Sequence, residues 1–276
     1  MLETDRVVES TNHRLHIPWG KVALLGTALV LVLFLTLPLI AIVVRALPAG
    51  PNAWLDPATL DALQLSLWTA SLSAILSVLI GTPVAYVLAR EKFAGKTIID
   101  TLVDLPMILP PAVAGIALLM AFGRRGLLGP ALSSIGIELP FTTAAVVMAE
   151  TFVAAPFYVR AAKAGFASVD RGLEQMSTVL GVSPLRTFFR VTLPLAGPSL
   201  FGGALMTWAR ALGEFGATIM FAGNFQGRTQ TMPLAIYIGL ESNLESALAL
   251  SVILIVVSFG ILAAVRLISP KGLILG

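Results

Sequence analysis

Long apolar runs, each bracketed or interrupted by a few charges, divide the chain. Lys21 and Arg45 bracket the first, and Asp61 and Arg90 the second, which contains Pro83. The third runs from about Ile98 to Gly123, with Asp100 and Asp104 near its start and Pro110 and Pro111 inside. The fourth, about Leu139 to Tyr158, is interrupted by Glu150 and Pro156; the fifth, about Leu195 to Ala222, by Arg210 and Glu214. Glu245 and Arg266 bracket the sixth. Apolar runs of about 20 residues cross a bilayer as helices. The pattern therefore predicts an all-α integral membrane protein with six transmembrane helices. Its parts are a polar tail over 1–21, a transmembrane domain over 22–268 and a tail over 269–276. Prolines inside such runs free carbonyls and bend helices. The stretch Leu105-Pro106-Met107-Ile108-Leu109-Pro110-Pro111 is thus a break or kink, serving either packing or a gate.

Composition agrees. Of 276 residues, 57% are hydrophobic and only 12% charged, against about 25% charged in soluble domains. The first run is too long for a signal-peptide core, so it is a retained span. The net charge of +3 does not call for nucleic acid, because loops facing the cytoplasm collect Lys and Arg. With the N-terminus inside, thirteen Lys and Arg fall on the cytoplasmic side and four (Arg45, Arg124, Arg125, Arg228) outside; Arg210 lies within a span. Both termini are expected in the cytoplasm. There are no cysteines, which excludes disulfides and thiolate metal sites, and His13 and His16 are the only histidines.

The longest internal connection, about 165–194, is patterned like structure. Val169, Leu173, Met176 and Leu180 recur at helical spacing among Asp170, Arg171 and Glu174. Gly181 stands where a helix ends in a left-handed turn. Ser183 can cap a second short helix with Pro184 at its first position. Leu185, Phe188, Phe189 and Val191 form that helix's apolar side. The pattern alone permits two uses: a helix pair resting on lipid headgroups, or a knob offering apolar side chains to a partner's groove.

The same stretch carries a resemblance. Gln175-Met176-Ser177, three residues, Gly181, nine residues, then Val191-Thr192-Leu193-Pro194 resembles the EAA signature of ABC importer permeases. That pattern is Glu-Ala-Ala, three residues, Gly, nine residues, Ile-x-Leu-Pro. The spacing, glycine, leucine and proline match. The triplet does not, and Glu174 stands one place early, which puts a salt bridge from the family's glutamate in doubt. Leu105 to Pro111, Gly123-Arg124-Arg125-Gly126, Arg210 to Thr218 and Arg228-Thr229-Gln230-Thr231-Met232-Pro233 look like molybdate permeases, with sulfate and tungstate permeases close by.

The resemblance implies a MetI-like ABC importer permease bundle with cytoplasmic coupling helices in the inner membrane of a prokaryote. It implies that Glu174, Gln175, Met176, Leu180, Gly181, Val182, Ser183, Pro184, Leu185 and Pro194 serve attachment to a cytoplasmic ABC ATPase subunit, present in two copies. It further implies a second copy of the chain and an extracytoplasmic oxyanion-binding protein. ATP and Mg would belong to the ATPase, and this chain would need no cofactor.

Charged residues at membrane depth are costly and face the bundle interior or water. Arg210 and Glu214, four apart, are expected on one helix face, either as a structural pair or, with Pro110 and Pro111, as part of the pathway or gate. Glu150 and Asp104 have the wrong sign for an anion and are expected to pair or hydrogen-bond within the bundle. Arg124 and Arg125 are either solvated loop charges or outer-face contacts for an anion or its binding protein. Ala94-Gly95-Lys96-Thr97 ends like a phosphate-binding loop, but Arg90 stands where the first glycine is required. An ion-gradient-driven transporter would need no ATPase and is disfavoured by the signature loop. A membrane enzyme would need a catalytic constellation, and no such set is legible.

Overall fold

The computed structural model describes residues 19–54 and 56–268. His13, His16 and the tail over 269–276 lie outside them. Among the described residues the chain is helical, with no strand. In chain order the helices are α1 (Trp19–Ala46), α2 (Pro51–Trp54), α3 (Pro57–Arg90), α4 (Lys96–Ile108), α5 (Pro111–Phe122), α6 (Gly129–Ser134) and α7 (Thr143–Ser168). There follow α8 (Arg171–Val179), α9 (Pro184–Thr187), a π-helical turn (Phe188–Thr192), α10 (Leu193–Leu212), α11 (Gly216–Ala222), α12 (Met232–Ser242) and α13 (Leu244–Ile268).

The described residues fall into two compact units, divided between Leu47 and Pro48. The first contributes α1, 28 residues long and apolar between Lys21 and Arg45 except for Thr27 and Thr36. Its Thr27 and Thr36 hydroxyls donate back to the Ala23 and Val32 carbonyls at 3.1 and 2.8 Å, which hides them from lipid.

The second unit is built on α3, α7 and α10, which pack on one another. The reason lies in residue size. The buried face of α3 is Ala62, Ser66, Thr69, Ala70, Ser73, Ala74, Ser77, Gly81 and Ala85, while its large residues Trp68, Ile75, Leu79 and Ile80 are exposed. Lipid tails are as apolar as leucine, so hiding large side chains gains little, and small residues that admit a neighbouring backbone make the contact. A Cβ built on Gly81 would lie 2.9 Å from the Tyr158 ring; one on Gly165 of α7 would lie 2.6 Å from Ser199 Cβ of α10, and one on Gly203 2.7 Å from Ala161 Cβ.

Four helices, α1, α3, α7 and α13, are long and apolar enough to cross a bilayer, and α4 with α5 makes a fifth if the bent pair is one span. These correspond to the first, second, fourth, sixth and third expected runs. The expected fifth run divides into α10 and α11, and the 20 residues of α10 include three glycines, two prolines and Arg210. Packing inside the bundle allows that dilution; by length and hydropathy the described residues give four spans, or five with the bent pair, and not the expected six. The fourth run differs too. Glu150 and Pro156 do not interrupt α7, which continues unbroken to Ser168 and carries Arg160 and Lys163 with it. The third run is bent by 117° between Ile108 and Pro111. Pro111 restricts Pro110 to extended backbone, and α5 restarts with proline at its first turn.

The close approach of α7 and α10 is testable. Gly165→Val should lower the unfolding free energy of the detergent-purified protein by about 1–3 kcal/mol, the usual range for overpacking. Gly202→Ala on the same α10, where a Cβ meets nothing within 4 Å, should leave the midpoint unchanged or raised.

Candidate functional site

The patterned connection is shorter than expected, because α7 takes its first residues. It begins at Val169, and Asp170 caps α8 by accepting from the Gly172 amide at 2.8 Å. The turn after α8 closes with two bonds, Val182 N–H to Ser177 O at 3.1 Å and Gly181 N–H to Thr178 O at 2.9 Å. That is a Schellman ending, and it requires the left-handed residue at Gly181, where φ is +77°. Ser183 occupies the capping position, but its side chain makes no capping bond; Pro184 is at the first helical position as expected. The second helix does not stand alone: α9 passes through the π-helical turn directly into α10, with Leu193 and Pro194 in its first turn. The knob is therefore a rigid extension of a bundle helix. The Ser177 and Thr187 hydroxyls, 2.8 Å apart, tie α8 to α9.

Its outer surface is apolar. Leu173, Met176, Val179, Leu180 and Leu185 are 49–81% exposed, and Leu180 and Leu185 flank the turn. Gln175 is exposed beside them, while Val182 is half-buried. Glu174 points the other way. Its Oε1 meets the Arg90 guanidinium at 2.9 Å and accepts from the Thr192 hydroxyl at 2.7 Å. The carboxylate one place early thus forms a salt bridge, while the position of the family's glutamate holds the uncharged Gln175 and forms none. The partner of Glu174 is in the same chain, 84 residues away.

Arg210 and Glu214 are 2.7 Å apart, but not on one helix. Gly213 ends α10, and Glu214 lies in the break before α11. Its Oε1 accepts from the Ala217 amide at 2.9 Å, capping α11, while the other oxygen faces Arg210. Glu214 is 1% exposed and Arg210 30%. The break at Pro110 and Pro111 abuts this one: a Cβ on Gly216 would lie 2.5 Å from Pro111 Cβ, and one on Gly115 2.6 Å from Met220 Cβ.

The remaining intramembrane acids are satisfied. Glu150 is buried and accepts from Thr69 at 2.8 Å and Ser73 at 2.9 Å, both on α3. Asp104 pairs with Arg160 at 2.8 Å, and Asp100 with Lys163, joining α4 to α7. Arg124 pairs with Glu138 at 2.6 Å, and Arg125 is exposed. Arg124, Glu138, Thr142 and Phe141 border a cavity of about 440 Å³ with Arg228. Phe141 holds a left-handed φ of 61° there, a strained conformation for a residue with a side chain.

Sequence reasoning missed Arg90, Thr192 and Arg228 as site residues. Arg90 served only as a charge bounding a span, and nothing in local spacing couples it to position 174. Arg228 stood in a matched segment without a role.

Long apolar helices packed through small residues, broken at two adjoining points and extended at one end by a rigid apolar knob, define a polytopic membrane component. Residues 77–271 match the family described as binding-protein-dependent transport system inner membrane component. The chain belongs to that family and is a multi-pass inner-membrane permease subunit. It is 42% identical over 244 residues to the molybdenum transport system permease protein ModB of Mycobacterium tuberculosis, covering 87% of this chain and 92% of the relative. It is 35% identical over 253 residues to the molybdate/tungstate transport system permease protein WtpB of Pyrococcus furiosus, covering 91% and 95%. Among solved structures, a bacterial ABC transporter that imports alginate superposes with a TM-score of 0.71 at 17% identity, over 91% of this chain and 96% of that one. The MetNI methionine transporter in inward-facing form gives 0.55 at 18% identity, over 79% and 97%.

The Glu150 clamp predicts an asymmetry. Glu150→Ala removes the shared acceptor of two buried hydroxyls, leaving them only the Ser66 and Val147 carbonyls at 3.4 and 3.1 Å, and should cost about 1–3 kcal/mol of stability. Glu150→Gln keeps an acceptor and should cost less than half as much in the same unfolding assay. For Arg210 and Glu214, each alanine variant should reduce assembly, and the double variant should be milder than the sum. Normal assembly with transport lost only in Arg210→Ala would instead place that arginine on the anion path.

Proposed function

We propose that this chain is the permease subunit of an ATP-driven importer that carries a tetrahedral oxyanion, foremost molybdate, into the cytoplasm. The observation that carries the substrate is the 42% identity, over nearly the whole length, to a permease named for molybdenum transport. The relative named for molybdate and tungstate favours tungstate as a second cargo of the same site. Sulfate is the remaining alternative.

Two copies of the chain form the pathway between two cytoplasmic ATPase subunits, which bind ATP and Mg and perform hydrolysis. The exposed apolar turn around Gly181 supports the docking role, since a rigid knob of this kind seats in a partner's groove. Both termini face the cytoplasm, on the charge bias of the loops. An extracytoplasmic binding protein delivers the anion at the opposite face, where Arg125 and Arg228, beside an Arg124 already paired with Glu138, leave a net positive charge. ATP-driven closure of the ATPases moves the knobs, and the spans rock between outward and inward access. The adjoining breaks at Pro110–Pro111 and Gly213–Phe215, with Arg210 and Glu214 beside them, are the places where the bundle can bend.

The decisive experiment is ATP hydrolysis and uptake by the reconstituted complex with binding protein loaded with each oxyanion. Molybdate and tungstate should stimulate both; equal stimulation by sulfate would overturn the narrower assignment, and no stimulation by any of the three the whole proposal. Gly181→Val should displace the turn, because a β-branched residue disfavours φ of +77°. Uptake should fall about tenfold or more, equivalent to ~1.4 kcal/mol at the docking step, with the ATPase lost from the purified complex. Orientation is checked by labelling. A cysteine at Gln226 should react with an impermeant thiol reagent in intact spheroplasts, and one at Ser183 should not.

A further inference from the structure

α8 needs something to hold it to the spans. It has nine residues, none of them buried, and its apolar side faces outward. A helix this short is not stable alone. The Schellman turn and the Ser177–Thr187 bond fix α8 against α9, and so give the knob its shape. They do not fix it against α3 or α7.

That task falls to one polar cluster. Arg90 is the last residue of α3, and its side chain is 6% exposed. Its Nη2 donates to the Val169 carbonyl at the end of α7, at 3.0 Å, and to Glu174 Oε1 of α8, at 2.9 Å. The same carboxylate oxygen accepts from Thr192, the last residue of the π-helical turn leading into α10. Arg171 at the start of α8 donates to the Arg90 carbonyl at 2.9 Å. The ends of the three packed helices and the docking helix thus converge on the Arg90–Glu174 pair, whose side chains are 6% and 19% exposed. Partial burial of both charges makes the pair sensitive to loss of either member.

We infer that Glu174 is a positioning residue for transport: with Arg90 and Thr192 it forms an inward strut that locks the docking knob to the cytoplasmic ends of α3, α7 and α10. The residue at the position of the family's glutamate, Gln175, is exposed and uncharged. The carboxylate here is therefore spent inside the chain and not on the ATPase. Cutting the strut leaves the knob's shape and apolar surface intact, so the partner still docks. What is lost is the transfer of its motion to the spans. This separates the strut from Gly181, whose replacement removes docking itself. The inference rests on the proposed function for its coupling consequence, but not for the mechanical one.

The test uses two readouts. The chain has no cysteine, so spin labels can be placed at Lys92, beyond α3, and Val179, on the knob, in the full-length permease in nanodiscs. Electron-resonance distances should give a narrow distribution in the parent and one about twofold broader in Glu174→Gln and Thr192→Val. Both variants preserve size, and circular dichroism with size-exclusion chromatography confirms folding. In proteoliposomes holding the whole complex, Glu174→Gln should retain the ATPase subunit and hydrolyse ATP near the parent rate. Molybdate delivered per ATP should fall severalfold. Arg90→Lys, which keeps a donor and a charge, should recover more of that ratio than Arg90→Gln. An unchanged distance distribution overturns the strut. Loss of the ATPase subunit from Glu174→Gln complexes also overturns it, because the carboxylate would then be a docking contact. If the parent complex itself shows no ATP-driven uptake, the proposed function fails, and the distance measurement still decides the strut.

Discussion

Helices in hydrocarbon gain nothing by turning leucines toward one another, and this constraint shapes the second unit of the protein. Association must come from close backbone contact and from hydrogen bonds between helices. α3 answers both needs, with alanine and glycine that let α7 and α10 approach and with serine and threonine hydroxyls that both donate and accept. The Ser73 hydroxyl reaches the Val147 carbonyl as well as Glu150, Trp208 of α10 donates to Ser71, and the Met232 amide donates to Ser66. Glu150 is then not an anomaly in the membrane. It is the acceptor that organises two of those hydroxyls, and it is buried because the contact is tight.

A bundle held this way tolerates breaks where neighbours satisfy the freed backbone groups. Both observed breaks follow that rule. At the first, prolines remove the amides that would otherwise be orphaned at the start of α5. At the second, Glu214 caps α11 and is itself paired with Arg210, so an acid and a base that would be expensive singly offset each other. The two breaks meet through glycines, which let α5 and α11 lie against each other. The capping contact gives the Arg210–Glu214 pair a structural task whatever it also does for an anion.

The knob extends the same economy beyond the membrane. Its shape depends on short-range bonds around Gly181, and its attachment on the long-range cluster at Arg90. In the proposed transporter, a bundle coupled to a separate ATPase needs both: a surface that the partner recognises, and a stiff connection that does not absorb the stroke. The π-helical turn, continuous with α10, and the Glu174 strut supply the second.

Local order in the sequence was enough for the all-helical class, for most spans, for the left-handed turn at Gly181 and for the proline break. Each depends on hydropathy, helical period or backbone sterics within a few residues. The family was legible as well, because the spacing of Gly181, Leu193 and Pro194 survives even where the triplet does not. Span boundaries were less so: Glu150 and Pro156 look like interruptions until α3 is seen to satisfy the carboxylate. The salt bridge of Glu174 was unreadable for the same reason. Arg90 and Glu174 lie in separate segments, and only the packing of α3 against α7 brings their ends together. Arg228 and Arg124 share a cavity through a comparable accident of topology. Patterns of a few residues decide what a segment becomes, but which distant charge it meets is decided by tertiary packing, since partners 80 or more residues apart leave no periodicity in the chain.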